Sequence, residues 1–186
     1  MDFLGIKGRS PKMPKAILAK CQPPAPGWIK SNIDGCSFGN PDPSGCGVVF
    51  RDTHGLIKGC LAQNLGDNNS VYAELWGAIY ALRLACTKGI RRLWLECDST
   101  FVLQALKNPE LVPWKLSMHW KNCLKFAASI QVIYTHIYRE GNSVAGILAK
   151  HGAMVESCWW IEPPEFIRRK ALIDNSILPL YHFRNI

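Results

Sequence analysis

One long helical pattern, set among five strand patterns in a fixed order, constrains the fold of this chain more than any other feature. From Ser70 to Thr87, apolar side chains recur at the spacing of a helix that buries one face. Five strand patterns surround it, at 28–34, 47–50, 56–61, 92–97 and 130–138. Three shorter helical patterns lie at 99–107, 114–128 and 142–150. The resulting order βββαβααβα is typical of an α/β domain.

The two ends of the chain are predicted to lie outside this domain. Four turn-forming residues, Pro23, Pro24, Pro26 and Gly27, separate an N-terminal stretch from the first strand pattern. We therefore expect a flexible basic leader over 1–26, a globular domain over 27–152 and a C-terminal appendix over 153–186. A hydrophobic fraction of 48% allows the middle part to bury a core.

Charge and cysteine content limit the class of protein. The net charge is +8, and residues 1–30 carry six basic side chains against one acidic side chain. Such a leader is either a solvated tail or a tail for import or nucleic-acid binding. The eight cysteines include no C-x-x-C pair, so we predict reduced thiols and no zinc ribbon. The sequence shows no apolar run of about 18 residues and no signal-peptide pattern. We expect an intracellular protein of the nucleus or cytoplasm, neither secreted nor membrane-bound.

Three carboxylates stand at the ends of predicted elements. Asp34 ends the first strand pattern, Glu74 lies near the start of the long helix, and Asp98 ends the fourth strand pattern. If those two strands are neighbours, the three side chains meet. Clustered carboxylates repel one another unless a cation neutralises them, and oxygen ligands suit Mg²⁺ or Mn²⁺. Ordinary roles also fit, because Asp before Gly is a common turn and an acid near a helix start favours the helix dipole.

Four motifs favour the metal site. The segments Asn32–Gly45, Ala73–Ile79, Leu95–Ser99 and His136–Gly152 resemble, in this order, the motifs of ribonuclease H. In sequence, these segments are most similar to the plant, retroelement-derived branch of ribonuclease H-like proteins, and Pro163–Ile167 resembles the C-terminal tail of that branch. The resemblance implies a five-stranded mixed sheet, three strands antiparallel and two parallel, flanked by helices. It also implies a hydrolase, an endonuclease that cleaves the RNA strand of RNA/DNA hybrids with divalent metal.

The resemblance assigns roles to individual residues. It makes Asp34, Glu74 and Asp98 the ligands of Mg²⁺ or Mn²⁺, of which the family holds up to two ions. It makes His136 the histidine that assists proton transfer or product release, although a histidine on an exposed strand face also fits. No small-molecule cofactor is implied.

One residue departs from the family pattern. The family has a fourth metal-binding Asp where this chain has Gly146, within matching neighbours. Glycine offers no ligand, so we expect at most one ion to be held well and cleavage to be impaired. Glu96 and Glu140 are the two carboxylates that could substitute.

Nucleic-acid contacts are also implied. Cys36 and Asn40 match the family segment that touches the RNA strand, although Asn40 with Pro41 also fits a turn. Asn69 resembles a family asparagine that contacts nucleic acid, displaced by about two residues relative to Glu74.

The helical pattern at 114–128 suggests a second contact. This helix could bind the DNA strand through Lys115 and Lys121, which alternate with the aromatic residues Trp114 and Trp120. The alternative, which we favour, is an amphipathic helix with its tryptophans in the core.

Three functions stay open on these grounds. The first is an active hybrid-directed nuclease, the second an impaired one that still binds nucleic acid, and the third a dead enzyme that serves as a nucleic-acid or protein interaction module. Gly146 favours the last two. The sequence predicts nucleic acid as the partner and gives no indication of a protein partner.

Overall fold

A computed structural model describes residues 15–176 and 180–184 of the chain. Within this part lie eight strands, β1 (Lys15–Leu18), β2 (Ile29–Ser37), β3 (Asp42–Arg51), β4 (Ile57–Asn68), β5 (Arg92–Cys97), β6 (Gln131–His136), β7 (Cys158–Trp160) and β8 (Tyr181–Arg184). The five α-helices are α1 (Ser70–Thr87), α2 (Thr100–Lys107), α3 (Trp114–Ala128), α4 (Ser143–Met154) and α5 (Glu165–Asp174). Two 3-10 turns lie at Pro109–Leu111 and Arg139–Gly141.

Six strands form one mixed sheet in the order β6-β5-β2-β3-β4-β7. β2, β3 and β4 are antiparallel, whereas β5 runs parallel to β2 and β6 parallel to β5. These five strands confirm the predicted sheet. A sixth strand, β7, comes from the predicted C-terminal appendix and pairs with β4.

Residues 35–45, between the first two predicted strands, are mostly strand. The β2–β3 ladder continues to the pair Ser37 and Ser44, which leaves only the four residues 38–41 as the turn. Glycine is present here because helices lie close to the sheet. A Cβ on Gly35 would lie 2.2 Å from the backbone nitrogen of Glu74 in α1, and one on Gly47 would lie 2.2 Å from the carbonyl oxygen of Ala145 in α4.

The helices cover both faces of the sheet. α1 buries Leu75, Ile79 and Leu82 against the face that includes Val48, together with Trp120 of α3. The other face, which includes Val49, packs against α4. Successive residues of a strand point to opposite faces of the sheet. The side chains of β2 and β3 therefore alternate between the face covered by α1 and the face covered by α4.

The C-terminal appendix packs on the domain. The buried Arg51 of β3 forms an ion pair of 3.0 Å with Asp174 of α5, and Asp174 also accepts a hydrogen bond of 3.3 Å from Ser143 at the start of α4. Aromatic stacking of Phe166 on His151 of α4, with ring centroids 4.2 Å apart, adds to this contact.

The described part of the leader also differs from the predicted flexible segment. β1 pairs in antiparallel fashion with β8, and Ala19 and Cys21 are buried. This segment is therefore packed because β8, a distant part of the sequence, supplies its hydrogen-bonding partner. Residues 1–14, which include three of the predicted basic side chains, lie outside the described residues, and the domain boundaries stay predictions.

All eight cysteines are free, and five of them are buried. Reduced thiols were predicted from the same residues. Among the described residues, no helix combines the length and apolarity needed to cross a membrane.

The Arg51–Asp174 pair gives a test of how firmly the appendix is attached. Asp174→Ala leaves the buried guanidinium unpaired and is expected to lower the free energy of unfolding by about 3–5 kcal/mol. Glu165→Ala removes the exposed Glu165–Arg168 pair of the same helix and is expected to change it by less than about 1 kcal/mol. Urea denaturation of both variants measures the difference, and equal small losses would show that α5 contributes little.

Candidate active site

Two of the predicted acids meet at the carboxyl end of the parallel strands. Ile33 of β2 is paired with Cys97 of β5, so Asp34 and Asp98 follow paired residues on neighbouring strands. The adjacency on which the sequence prediction depended is thereby confirmed.

The third acid reaches the same place through a close helix contact. Because Gly35 has no side chain, the α1 backbone at Glu74 passes directly over the end of β2. Glu74 is then oriented by Ser99, which donates a short hydrogen bond to its carboxylate. Ser99 also caps α2, accepting a hydrogen bond of 3.4 Å from the Val102 amide.

The electrostatics of this cluster are those of crowded carboxylates. Burial, the charge of Asp98 and, least of the three, the charge of Glu74 together raise the pKa of Asp34 to about 7, against the charge of Arg139 and a 2.9 Å hydrogen bond from the Gly35 amide. Burial also raises the pKa of Glu74, although the Ser99 hydrogen bond opposes the shift. Such a cluster favours a nearby cation.

Asp98 already has a cationic partner. The Nε of Arg139 lies 3.2 Å from Asp98 Oδ2, and this contact raises the pKa of the guanidinium. Asn142 donates to Asp98 Oδ1 at 3.1 Å and to the carbonyl oxygen of Ile33 at 2.8 Å. Asn142 occupies the N-cap position of α4, but its side chain makes no capping hydrogen bond because the amide donates to Asp98 and Ile33 instead.

The acids open into a cleft of about 450 Å³. Its walls include Asp34, Glu74, Cys36, Arg139, Lys150 and Gly146. Gly146 faces Asp34 directly, because a Cβ on this glycine would lie 2.9 Å from Asp34 Oδ2, with no other atom outside its own stretch of helix within 4 Å. Position 146 is therefore next to the acid cluster and open to the cleft.

In the described part of the chain, no three acidic, histidine or cysteine side chains already have the arrangement of a metal site. The hydrogen bonds above give a physical reason. Asp98 is held by Arg139 and Asn142, and Glu74 is held by Ser99.

The two carboxylates that could have substituted at position 146 are engaged elsewhere. Glu96 is buried and forms an ion pair of 2.5 Å with the buried Lys30, as well as a 2.9 Å hydrogen bond from Asn32. Glu140 lies 3.1 Å from the imidazole of His182 in β8.

The other predicted site residues are spread around the cleft. His136 ends β6 opposite Cys97, exposed, with its ring edge-on to Tyr138. Cys36 lines the cleft, and burial raises the pKa of its thiol. The side-chain oxygen of Asn40 accepts from the Ser70 amide at 3.2 Å, and that of Asn69 caps α1 by accepting from the Tyr72 amide at 2.8 Å. Both asparagines thus have a structural contact at the start of α1.

Helix α3 differs in part from the favoured interpretation. Trp120 is fully buried, as predicted, but Trp114 is 82% exposed because it lies in the first turn, beyond the edge of the core. Lys115 and Lys121 are exposed on the same helix.

Two cleft residues were not identified from the sequence. Arg139 and Lys150 both lie within the motif His136–Gly152, but the resemblance assigned a role to neither. A spacing argument could have found Lys150, since it follows Gly146 by four residues and so lies on the same face of α4.

Comparison with known proteins identifies the fold family. The model of the family described as reverse transcriptase-like matches residues 32–152. The chain belongs to this family of ribonuclease H-like domains. The predicted family and fold are confirmed.

Individual relatives agree with this assignment. The chain is 36% identical over 129 residues to a protein of Arabidopsis thaliana named "Putative ribonuclease H protein", covering 69% of this chain and 21% of that one. It therefore spans about a fifth of that relative. Ribonuclease H1 of the archaeon Halobacterium salinarum shares 26% identity at a TM-score of 0.59 over 67% of this chain and 96% of its own. LC11-RNase H1, solved in complex with an RNA/DNA hybrid, shares the fold at 22% identity and a TM-score of 0.61, covering 68% and 96%.

The raised pKa of Asp34 predicts a pH-dependent stability. The pKa of Asp34 is about 7 in the folded protein and 3.8 ordinarily, so its protonated form stabilises the folded state. This stabilisation is complete at low pH and is lost as pH rises through 7. In EDTA, Asp34→Asn is expected to raise the free energy of unfolding by roughly 1–3 kcal/mol at about pH 8 and to change it little at about pH 4.

Urea denaturation at the two pH values measures this effect. Asp67→Asn changes an exposed carboxylate outside the cleft and serves as the matched control. An equal gain for Asp34→Asn at both pH values would contradict the assigned cause.

Proposed function

We propose that this ribonuclease H-like domain binds RNA/DNA hybrids at the cleft and that Gly146 strongly impairs its cleavage of the RNA strand. The observation that carries the proposal is the direct approach of position 146 to Asp34. A carboxylate at this position would complete a set of four acids around one cleft.

The donor chemistry fits a divalent cation. Asp34, Glu74 and Asp98 would hold Mg²⁺ or Mn²⁺ through carboxylate oxygens. Burial and then the charge of Asp98 raise the pKa of Asp34, and a bound cation would favour its ionised form. When bound, such a cation activates water and stabilises the leaving oxygen in phosphodiester hydrolysis. With glycine at position 146, one anionic oxygen donor is missing beside Asp34, and Arg139 competes for Asp98.

The remaining residues orient the acids and the substrate. Ser99 fixes Glu74, and Asn142 fixes Asp98 relative to the β2 backbone. His136 lies at the same end of the sheet as Asp98, where an exposed imidazole can exchange protons with solvent.

Hybrid binding is supported by the exposed surface of α3. No acidic residue lies between Glu110 and Glu140 in the sequence, and within this stretch α3 exposes Lys115, Lys121 and Trp114. Lysines attract phosphates, and an exposed indole can stack on a base. A solved relative with the same fold, LC11-RNase H1, holds an RNA/DNA hybrid.

A protein-interaction module is the second candidate. The exposed apolar side chains Leu111, Trp114 and Met118, with exposures of 42%, 82% and 69%, form one patch at the start of α3. Such a patch suits a partner protein as well as a base. Loss of hybrid binding in a well-folded sample would favour this function.

Restoring the carboxylate tests the proposed impairment. Gly146→Asp is expected to raise the rate of hybrid cleavage by about two orders of magnitude or more, since each 1.36 kcal/mol of transition-state stabilisation is about tenfold in rate. The new Cβ meets only the end of the flexible Asp34 side chain, so the substitution is expected to fold. Cleavage of a labelled hybrid in Mg²⁺ and in Mn²⁺ is the measurement.

A matched variant separates charge from shape. In Gly146→Asn, the new side chain has the size of aspartate without its negative charge, so this variant should gain little or no cleavage rate. Robust cleavage by the unaltered chain, abolished by Asp34→Asn, would refute the impairment, and the absence of any gain in Gly146→Asp would place the defect elsewhere.

The α3 surface gives an independent prediction. Changing Lys115 and Lys121 together to Gln should weaken hybrid binding and lower the slope of log K against log salt by roughly 2 if each lysine contacts one phosphate. Fluorescence anisotropy across a salt series measures the slope. An unchanged slope would show that this face does not touch the hybrid.

A further inference from the structure

The cleft carries a balance of charge that is unusual for a carboxylate metal site. Among its lining residues, the two acids Asp34 and Glu74 face two cations, Arg139 and Lys150. A carboxylate at position 146 would make this set net negative. With glycine, the formal charge of these four lining side chains is zero, and Asp98, which is paired with Arg139, adds one negative charge beside them.

Arg139 is held in a geometry that leaves donors free to bind an anion. Its Nε is anchored on Asp98 Oδ2 at 3.2 Å, yet the side chain is 84% exposed. A guanidinium has five N–H donors in a planar fork, and the fork matches the oxygens of a phosphate. The ion pair with Asp98 therefore fixes the direction of the fork.

Lys150 provides the second positive charge of the cleft. It is exposed on α4, one helical turn after Gly146, and lines the same cleft as Arg139. A Cβ in place of the glycine hydrogen would lie 2.9 Å from Asp34 Oδ2. A carboxylate at position 146 would therefore add negative charge on the helix face that also carries Lys150.

We propose that the cleft is a metal-independent phosphate-binding site, in which Arg139 and Lys150 hold a backbone phosphate of the RNA/DNA hybrid. This inference rests on the proposed hybrid binding and adds the mode of binding. A carboxylate at position 146 would repel the phosphate, and binding would then need a divalent cation to bridge the two.

The experiment uses the full chain and a short fluorescently labelled RNA/DNA hybrid. Anisotropy gives the Kd in EDTA and in Mg²⁺, under conditions in which a gel shows no cleavage product. The Kd values are expected to agree within about threefold for the unaltered chain. In EDTA, Arg139→Gln and Lys150→Gln should each weaken binding by roughly tenfold and lower the salt slope by about 1.

Two variants complete the design. Gly146→Asp should bind roughly tenfold more weakly in EDTA and recover in Mg²⁺, because the added charge must be offset. Lys58→Gln changes a half-exposed cation at the far end of β4, outside the cleft, and should leave both Kd and slope unchanged. An excess of inorganic phosphate should not displace the hybrid if the site serves a polymer backbone, and displacement would reassign it to free phosphate.

The outcomes separate the two proposals. Binding in Mg²⁺ that is lost in EDTA would overturn metal independence and leave the proposed function standing. Binding that is insensitive to Arg139→Gln and to Lys150→Gln would overturn the assigned residues. No binding in either buffer, by protein whose circular dichroism shows it folded, would overturn the proposed function as well.

Discussion

The close contact of two helices with the glycine-rich end of β2 and β3 is the constraint on which the site depends. Cβ atoms at Gly35 and Gly47 would lie 2.2 Å from the backbones of α1 and α4, a separation that no side chain tolerates. The contact brings Glu74 and position 146 to opposite sides of Asp34. A larger residue at either glycine would move a helix, and the acids would no longer share one cleft.

Two ion pairs offset carboxylate charges in this part of the fold, and they differ in burial. Away from the cleft, the buried Lys30–Glu96 pair is stabilised by hydrogen bonds to both partners, as a buried ion pair requires. At the cleft, the cation of the pair is exposed, because the Arg139 side chain reaches Asp98 from the solvent side. An exposed cation can also contact a ligand, whereas the buried Lys30 cannot.

Strand and helix periodicity were enough to predict the five strands and the bounds of α1 and α3. The arrangement of the sheet was implied by the resemblance to ribonuclease H, and the meeting of Asp34 with Asp98 depended on that arrangement. The sequence could not show the packing of β1, β7 and β8, because short strands acquire their order from partners far along the chain. It also could not show that Asn142 turns from α4 toward Asp98, since an asparagine before a helix usually caps it. Trp114 was misplaced because periodicity does not reveal where the core ends.

The effect of glycine at position 146 on stability can be weighed against its effect on chemistry. A glycine within a helix costs about 1 kcal/mol relative to alanine. A further carboxylate beside the half-buried Asp34 would cost more when no metal is bound, since two like charges about 4 Å apart repel by roughly 4 kcal/mol at an effective dielectric constant of about 20. Glycine therefore favours the metal-free fold even though it weakens the helix. Under the proposed function, the glycine that withholds a metal ligand also removes the repulsion that a carboxylate at position 146 would exert on Asp34.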